Sequence, residues 1–188
     1  MKQYGFHSLC VIFLLLCSNY NILAQTGTQA EKLMNALKGK DLQNALTLVQ
    51  NVDSVNYRDK DDFSLLMSAS MRGYTEVVIL LLEKGATVDL RSNKGETALM
   101  EAAHQGQTAV VKLLLDKGAN MDLQSNIGGT ALMKASQEGH IEVVRLLLER
   151  GANSKLKSKK GRTAYDYADD YSKNRVIRTM LLKDMKKK

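Results

Sequence analysis

Proline is missing altogether from the sequence, and aromatic residues make up only 5% of it. A core of large rings is thereby excluded, and burial has to come from Leu, Val, Ile, Met and Ala, a set suited to closely packed helices. Cysteine is almost as scarce. Cys10 and Cys17 both fall within the first two dozen positions, so a chain that lost this segment would have no thiol, no disulfide and no Cys-ligated metal site. Histidine is rare as well, with 3 in 188 residues, which leaves little material for a metal site or a general base. A hydrophobic share of 44% and a charged share of 25% argue against gross disorder.

The first two dozen residues read differently from the rest. Lys2 is the only early Lys, Arg, Asp or Glu, Leu9 to Cys17 is an unbroken apolar run, and Asn19 to Gln25 turns polar with Ala24 placed for cleavage. This pattern predicts an export signal over residues 1–24. As helix, the run would cross only about half of a roughly 30 Å hydrocarbon core, so a permanent membrane anchor fits poorly. Lipidation of Cys17 is the alternative, although Leu16 stands where such sites usually need a small side chain. Cleavage would release the chain to the periplasm or the exterior.

Beyond the leader, the sequence compares well with itself at a spacing of 33. Gly95, Gly128 and Gly161 recur at that interval, as do Thr97, Thr130 and Thr163, Gly73, Gly106 and Gly139, and Leu81, Leu114 and Leu147. So many coincident columns predict a repeat architecture. Thr97, Thr130, Thr163 and Ser64 precede apolar stretches, where a hydroxyl can accept from an unpaired first-turn amide, so they are expected to be helix N-caps. Short helices then run to Gly106 and its equivalents. Second helices follow through Val110 to Leu115 and its counterparts, apolar over a face wide enough to be packed on both sides, and stop at Gly85, Gly118 and Gly151. The turn-rich remainders, such as Asn120 to Gly128, are expected to project as hairpin-like loops.

The run Gly95-Glu96-Thr97-Ala98-Leu99-Met100-Glu101-Ala102-Ala103, followed by Gly106, Val110-Val111, Leu113-Leu114-Leu115 and Gly118-Ala119-Asn120, resembles the ankyrin repeat. The resemblance covers three strong repeats, 58–90, 91–123 and 124–156, between a degenerate N-terminal capping repeat at 25–57 and a C-terminal capping repeat with a basic tail at 157–188. It implies an all-α solenoid of helix-turn-helix units with projecting hairpin loops. Where the family has Thr-Pro-Leu-His, this chain has Thr97-Ala98-Leu99-Met100, Thr130-Ala131-Leu132-Met133 and Ser64-Leu65-Leu66-Met67. Ala at the first helical position costs little. Met for His removes a polar link between neighbours in favour of an adaptable apolar one, so slightly looser stacking is expected. Asp62 replaces the tip glycine of the first strong repeat, and Asp tolerates a left-handed turn better than most residues. The terminal units are expected to act as caps with one face suited to water. The closing glycine of the first is replaced by Val52, and Tyr165, Tyr167 and Tyr171 intrude in the last.

Little points to catalysis. His104 and His140 lie 36 residues apart with no metal-ligand pairing; His140 is expected to pack at a helix start, and His104 to face the groove. An enzyme would need a cluster around His104 and Glu101. Asp59, Asp61 and Asp62 lack the glycine and the twelfth-position Glu of a calcium loop and are expected at a solvated tip. No phosphate-cradling loop, dinucleotide fingerprint or nucleophile elbow is present, and neither cofactor nor metal is expected. From residue 155 onward there are 12 Lys and Arg against 4 acids, net +8. Nucleic acid is not expected as a partner of an exported chain whose basic runs, at Lys155 to Arg162 and Lys183 to Lys188, have no aromatic residues interleaved.

The resemblance therefore implies a non-enzymatic protein-binding module, monomeric, with contacts along hairpin tips and first-helix ends. Carried over by register, the positions are Lys60, Asp61, Phe63, Met71 and Arg72, then Asn93, Lys94, Glu96, His104 and Gln105. The next repeat gives Asn126, Ile127, Gln137 and Glu138, and the last gives Lys159, Lys160 and Arg162. Phe63 and Ile127 are expected to be exposed apolar anchors. The alternative is an envelope-associated structural protein whose basic C-terminus rests weakly on an anionic surface.

Overall fold

The computed structural model describes residues 29–52, 54–168 and 174–187. The leader expected over 1–24 lies outside the described residues, as do Tyr171 and Lys188. Helices come in pairs, one pair per 33-residue unit. Residues 29–38 form α1, followed by α2 (Leu42–Gln50), α3 (Leu65–Arg72), α4 (Thr75–Glu83), α5 (Ala98–His104) and α6 (Thr108–Asp116). Then come α7 (Ala131–Glu138), α8 (Ile141–Glu149), α9 (Ala164–Tyr167) and α10 (Arg175–Lys187). Among the described residues no strand occurs, and one isolated bridge pairs Arg58 with Ser64. No described helix is long and apolar enough to cross a membrane.

The first helices start where the hydroxyl columns fall. Ser64, Thr97, Thr130 and Thr163 each accept a hydrogen bond from the backbone N–H three residues on, which satisfies one of the otherwise orphaned first-turn donors. At Ser64 the arrangement is reciprocal, because its own N–H reaches Met67 Sδ at 3.4 Å. First helices stack in one row, α3 on α5 on α7 on α9, and second helices in another, α2 through α10. Small residues make the close first row possible. Ala69, Ala102 and Ala135 are fully buried there, and Ser70, Ala103 and Ser136 occupy the next column without exposure. Leu81, Leu114 and Leu147 fill the space between the rows.

Away from the hairpin tips, polar groups stitch the units together at two levels. Asn56, Asp89 and Asp122, spaced by 33, accept through their side chains from the backbone N–H groups of Thr87, Asn120 and Asn153 in the following unit. Burial pushes the Asp89 carboxyl up, with the Asn120 N–H opposing. At the ends of the first helices, Gln107 Nε2 donates to Met71 O at 3.5 Å and Asn174 Nδ2 to Ser136 O at 3.0 Å, while His140 Nε2 lies 2.9 Å from His104 O. The His140 ring sits over Gly106, where a Cβ would meet it at 2.6 Å. His140 thus packs at a helix start and also supplies a polar link between neighbours, at a position distinct from the one where Met replaces the family's His.

The N-terminal unit shows what capping means in this chain. Lys32, Asn35 and Asn44 stand in the columns of Leu65, Ser68 and Val77, which are buried one unit on. These polar residues are exposed and line an open cleft of about 480 Å³ between α1 and α2. Lys40, in the column of Gly73, takes the left-handed φ of 64° itself.

Candidate partner-binding face

The hairpin tips form a continuous row because each is hydrogen-bonded to the next through its backbone. Asn93 N–H donates to Asp61 O at 3.2 Å, Asn126 N–H to Lys94 O at 2.9 Å and Lys159 N–H to Ile127 O at 3.0 Å. Side chains reinforce the row: Arg91 reaches Gln124 O at 2.7 Å, Gln124 reaches Lys157 O at 2.9 Å, and Asn126 Nδ2 reaches Asn93 O at 2.7 Å. Asp62 adopts φ 55° at the first tip, as its column requires. At the third, Gly128 has φ 79° and no room for a side chain, since a Cβ would lie 2.7 Å from Lys159 N and 2.9 Å from Ser158 Cα.

Two columns of the candidate residues are presented to solvent throughout. Lys60, Asn93, Asn126 and Lys159 form one; Asp61, Lys94, Ile127 and Lys160 form the other; and all eight are exposed. Ile127 stands out at 66% exposure, an isolated apolar side chain in a polar row.

A third column is turned inward, which corrects the expectation for its members. Phe63, Glu96 and Arg162 immediately precede the N-caps, a position whose side chain commonly packs back against the helix it introduces. Phe63 is half-buried against the core, with its N–H held by Asp59 Oδ1 at 2.9 Å, so it is not the exposed anchor expected. Glu96 is 8% exposed and pairs with Lys134 at 3.2 Å through Oε1, while Oε2 is buried without a hydrogen-bond partner. Arg162 lies over the Tyr167 ring at 4.4 Å and donates to Asp166 O at 2.6 Å.

The first-helix ends are mixed. Arg72 is directed at the end of α1, donating to Leu37 O at 3.2 Å and Lys38 O at 3.0 Å, and Met71 is half-buried. Gln105, Gln137 and Glu138 are exposed. His104, with 38% of its side chain exposed, places Nδ1 3.7 Å from Glu138 Oε1, and that oxygen accepts a hydrogen bond from Gln137 at 3.2 Å. Glu101 is half-buried in the same region. Burial pushes its carboxyl up and the Glu96 charge adds to this, with Lys134 and Lys94 opposing.

Lys134 is the residue that the register reading missed. It shares a column with Ser68 and Glu101, and the opposite charges at Glu101 and Lys134 in adjacent units were the available signal. Taken together, these groups give a face of exposed donors, acceptors and one apolar side chain. Stacked helix pairs with a bonded row of loop tips define a repeat solenoid.

Family comparison agrees. A model of ankyrin repeats in three copies matches residues 4–125, and a model of ankyrin repeats in many copies matches residues 114–168. The chain belongs to the ankyrin-repeat family, whose repeats generally mediate protein–protein interaction and are typically non-enzymatic. The first match begins at residue 4, upstream of Leu33, where the repeat columns become visible. No curated protein matches the chain at a significant level.

Proposed function

We propose that this protein is an exported interaction module that holds a partner protein on the hairpin tips and first-helix ends of its three central repeats. The observation that carries the reading is the continuous, backbone-bonded row of tips whose two outer columns are exposed throughout, with Ile127 at 66%. A rigid row of this kind loses little conformational freedom on binding, so its contacts translate into affinity with small ordering costs. Export rests on the apolar run from Leu9 to Cys17 and its polar flank ending at Ala24.

Two experiments test the reading. Intact-mass measurement of the secreted protein is expected to show a chain that begins at or very near Gln25 and carries no thiol; a retained leader, or a diacylglyceryl group on Cys17, would overturn the location. Capture from an envelope extract, repeated with an Asn126→Asp/Ile127→Asp variant and with a variant lacking Lys186 to Lys188, addresses the surface. The tip variant is expected to lose the captured protein while circular dichroism stays unchanged. Retention by the tip variant, together with loss on truncation, would move the site to the basic end of α10.

A further inference from the structure

Resting on the proposed tip surface, we infer the chemistry of what it takes: an acidic protein segment carrying one apolar side chain, with the apolar group set on Ile127 and the carboxylates on the lysines around it. Ile127 is flanked on both sides through the backbone. Its neighbour Asn126 is bonded to Lys94 O on one side, and Ile127 O receives the N–H of Lys159 on the other. Lys94 and Lys160 share its column, and Lys159 precedes Lys160. Among the described residues, Lys159 and Lys160 enter none of the ion pairs, unlike Lys38, Lys112 and Lys134, which pair with Asp59, Asp116 and Glu96. Unpaired ammonium groups around an uncovered isoleucine are complementary to carboxylates around an apolar side chain.

The same row argues against a flat anionic surface such as a membrane. Its other end carries Asp61 in the column of Ile127, and Glu138 is exposed at the end of α7. A planar sheet of negative charge approaching the row meets these carboxylates, whereas a segment laid across the tips of 124–156 and 157–162 meets only the lysines. Like-charge juxtaposition acts as a filter on partners.

The test uses the full chain and a fluorescent peptide in which one leucine stands between two pairs of glutamates, read by anisotropy. Control probes are the same peptide with serine for leucine, the same peptide with glutamines for glutamates, and vesicles of zwitterionic lipid containing an anionic lipid. The Glu-Leu peptide is expected to bind, with affinity falling as salt rises from about 50 to 500 mM. Ile127→Ser and the leucine-to-serine peptide should each lose about tenfold or more, since each uncovers one aliphatic side chain. Lys159→Glu/Lys160→Glu should lose binding and its salt dependence together, and the glutamine peptide should bind weakly. Equal binding of the serine peptide, indifference to Ile127→Ser, or vesicle binding that depends on the same residues would each overturn the inference. So would failure of the Glu-Leu peptide to bind; if the captured protein still depends on Ile127 in that case, the tip surface stands and only the partner chemistry falls.

Discussion

Replacing Gly128 by Ala separates two effects that glycine usually confounds. Gly128 and Gly161 hold the same tip position in successive units, with φ of 79° and 75°. An alanine at either must adopt a left-handed backbone, at a cost of about 1–2 kcal/mol. At Gly161 nothing lies within 4 Å of the added Cβ, so the cost ends there. At Gly128 the Cβ would lie 2.7 Å from Lys159 N, 2.9 Å from Ser158 Cα and 3.0 Å from Ser158 C. These are backbone atoms, which cannot rotate away as a side chain would. Clearance requires the two tips to part, with loss of the 3.0 Å bond from Lys159 N–H to Ile127 O. That adds about 0.5–1.5 kcal/mol for the bond and about 1–3 kcal/mol for overpacking. Urea titration followed by far-ultraviolet circular dichroism is expected to show a loss of about 2.5–6.5 kcal/mol for Gly128→Ala against about 1–2 kcal/mol for Gly161→Ala. Equal losses would mean that the tips are not bonded to one another, and the rigid presentation of Ile127 would lose its basis.

Other outcomes follow from burial and charge. Leu114 is fully buried between the helix rows, so Leu114→Ala should destabilise by about 2–5 kcal/mol, while Lys112→Ala, exposed and paired only with Asp116 at 2.8 Å, should stay within about 0.5 kcal/mol of the parent; the same titration checks both. Ser70 Oγ is buried without a hydrogen-bond partner, and the next unit accommodates Ala103 in its column, so Ser70→Ala should raise stability by about 1 kcal/mol. Glu101 has its folded pKa raised above 4.5, chiefly by burial. Folding therefore favours its protonated form: below 4.5 the penalty is absent, and it builds as pH rises through the folded value. Glu101→Gln should accordingly match the parent near pH 3.5 and exceed it in urea midpoint at pH 7; a gain confined to low pH would reverse the sign of the argument.

The repeat, its caps and its stops were legible because each is a local matter of backbone chemistry that recurs in register. A hydroxyl before an apolar run caps a helix in isolation as it does in the stack, and Ser64, Thr97, Thr130 and Thr163 do so here. The exposure of Lys60, Asn93, Asn126 and Lys159 also followed from register, since a tip two residues from a left-handed turn has nothing to bury against. What register could not give was the fate of side chains whose partners come from another unit. Glu96 meets Lys134 across 38 residues, and Arg72 meets carbonyls of α1 across 34 and 35. Phe63 was placed correctly in sequence yet turned toward the core, because position along a repeat fixes where a side chain starts and packing decides where it goes.

The ladder formed by Asn56, Asp89 and Asp122 gives each unit a direction: an acceptor side chain offered onward and a backbone donor held back toward the unit before. Units with matched head and tail join in register through the same rung. Lys155 occupies the position at which the next acceptor falls due. An ammonium group has protons to give and no lone pair to receive one, so the rung is missing between the last two units, which are joined instead by the packing of α9 on α7 and α10 on α8 and by Ser154 Oγ donating to Asp184 Oδ2 at 2.7 Å.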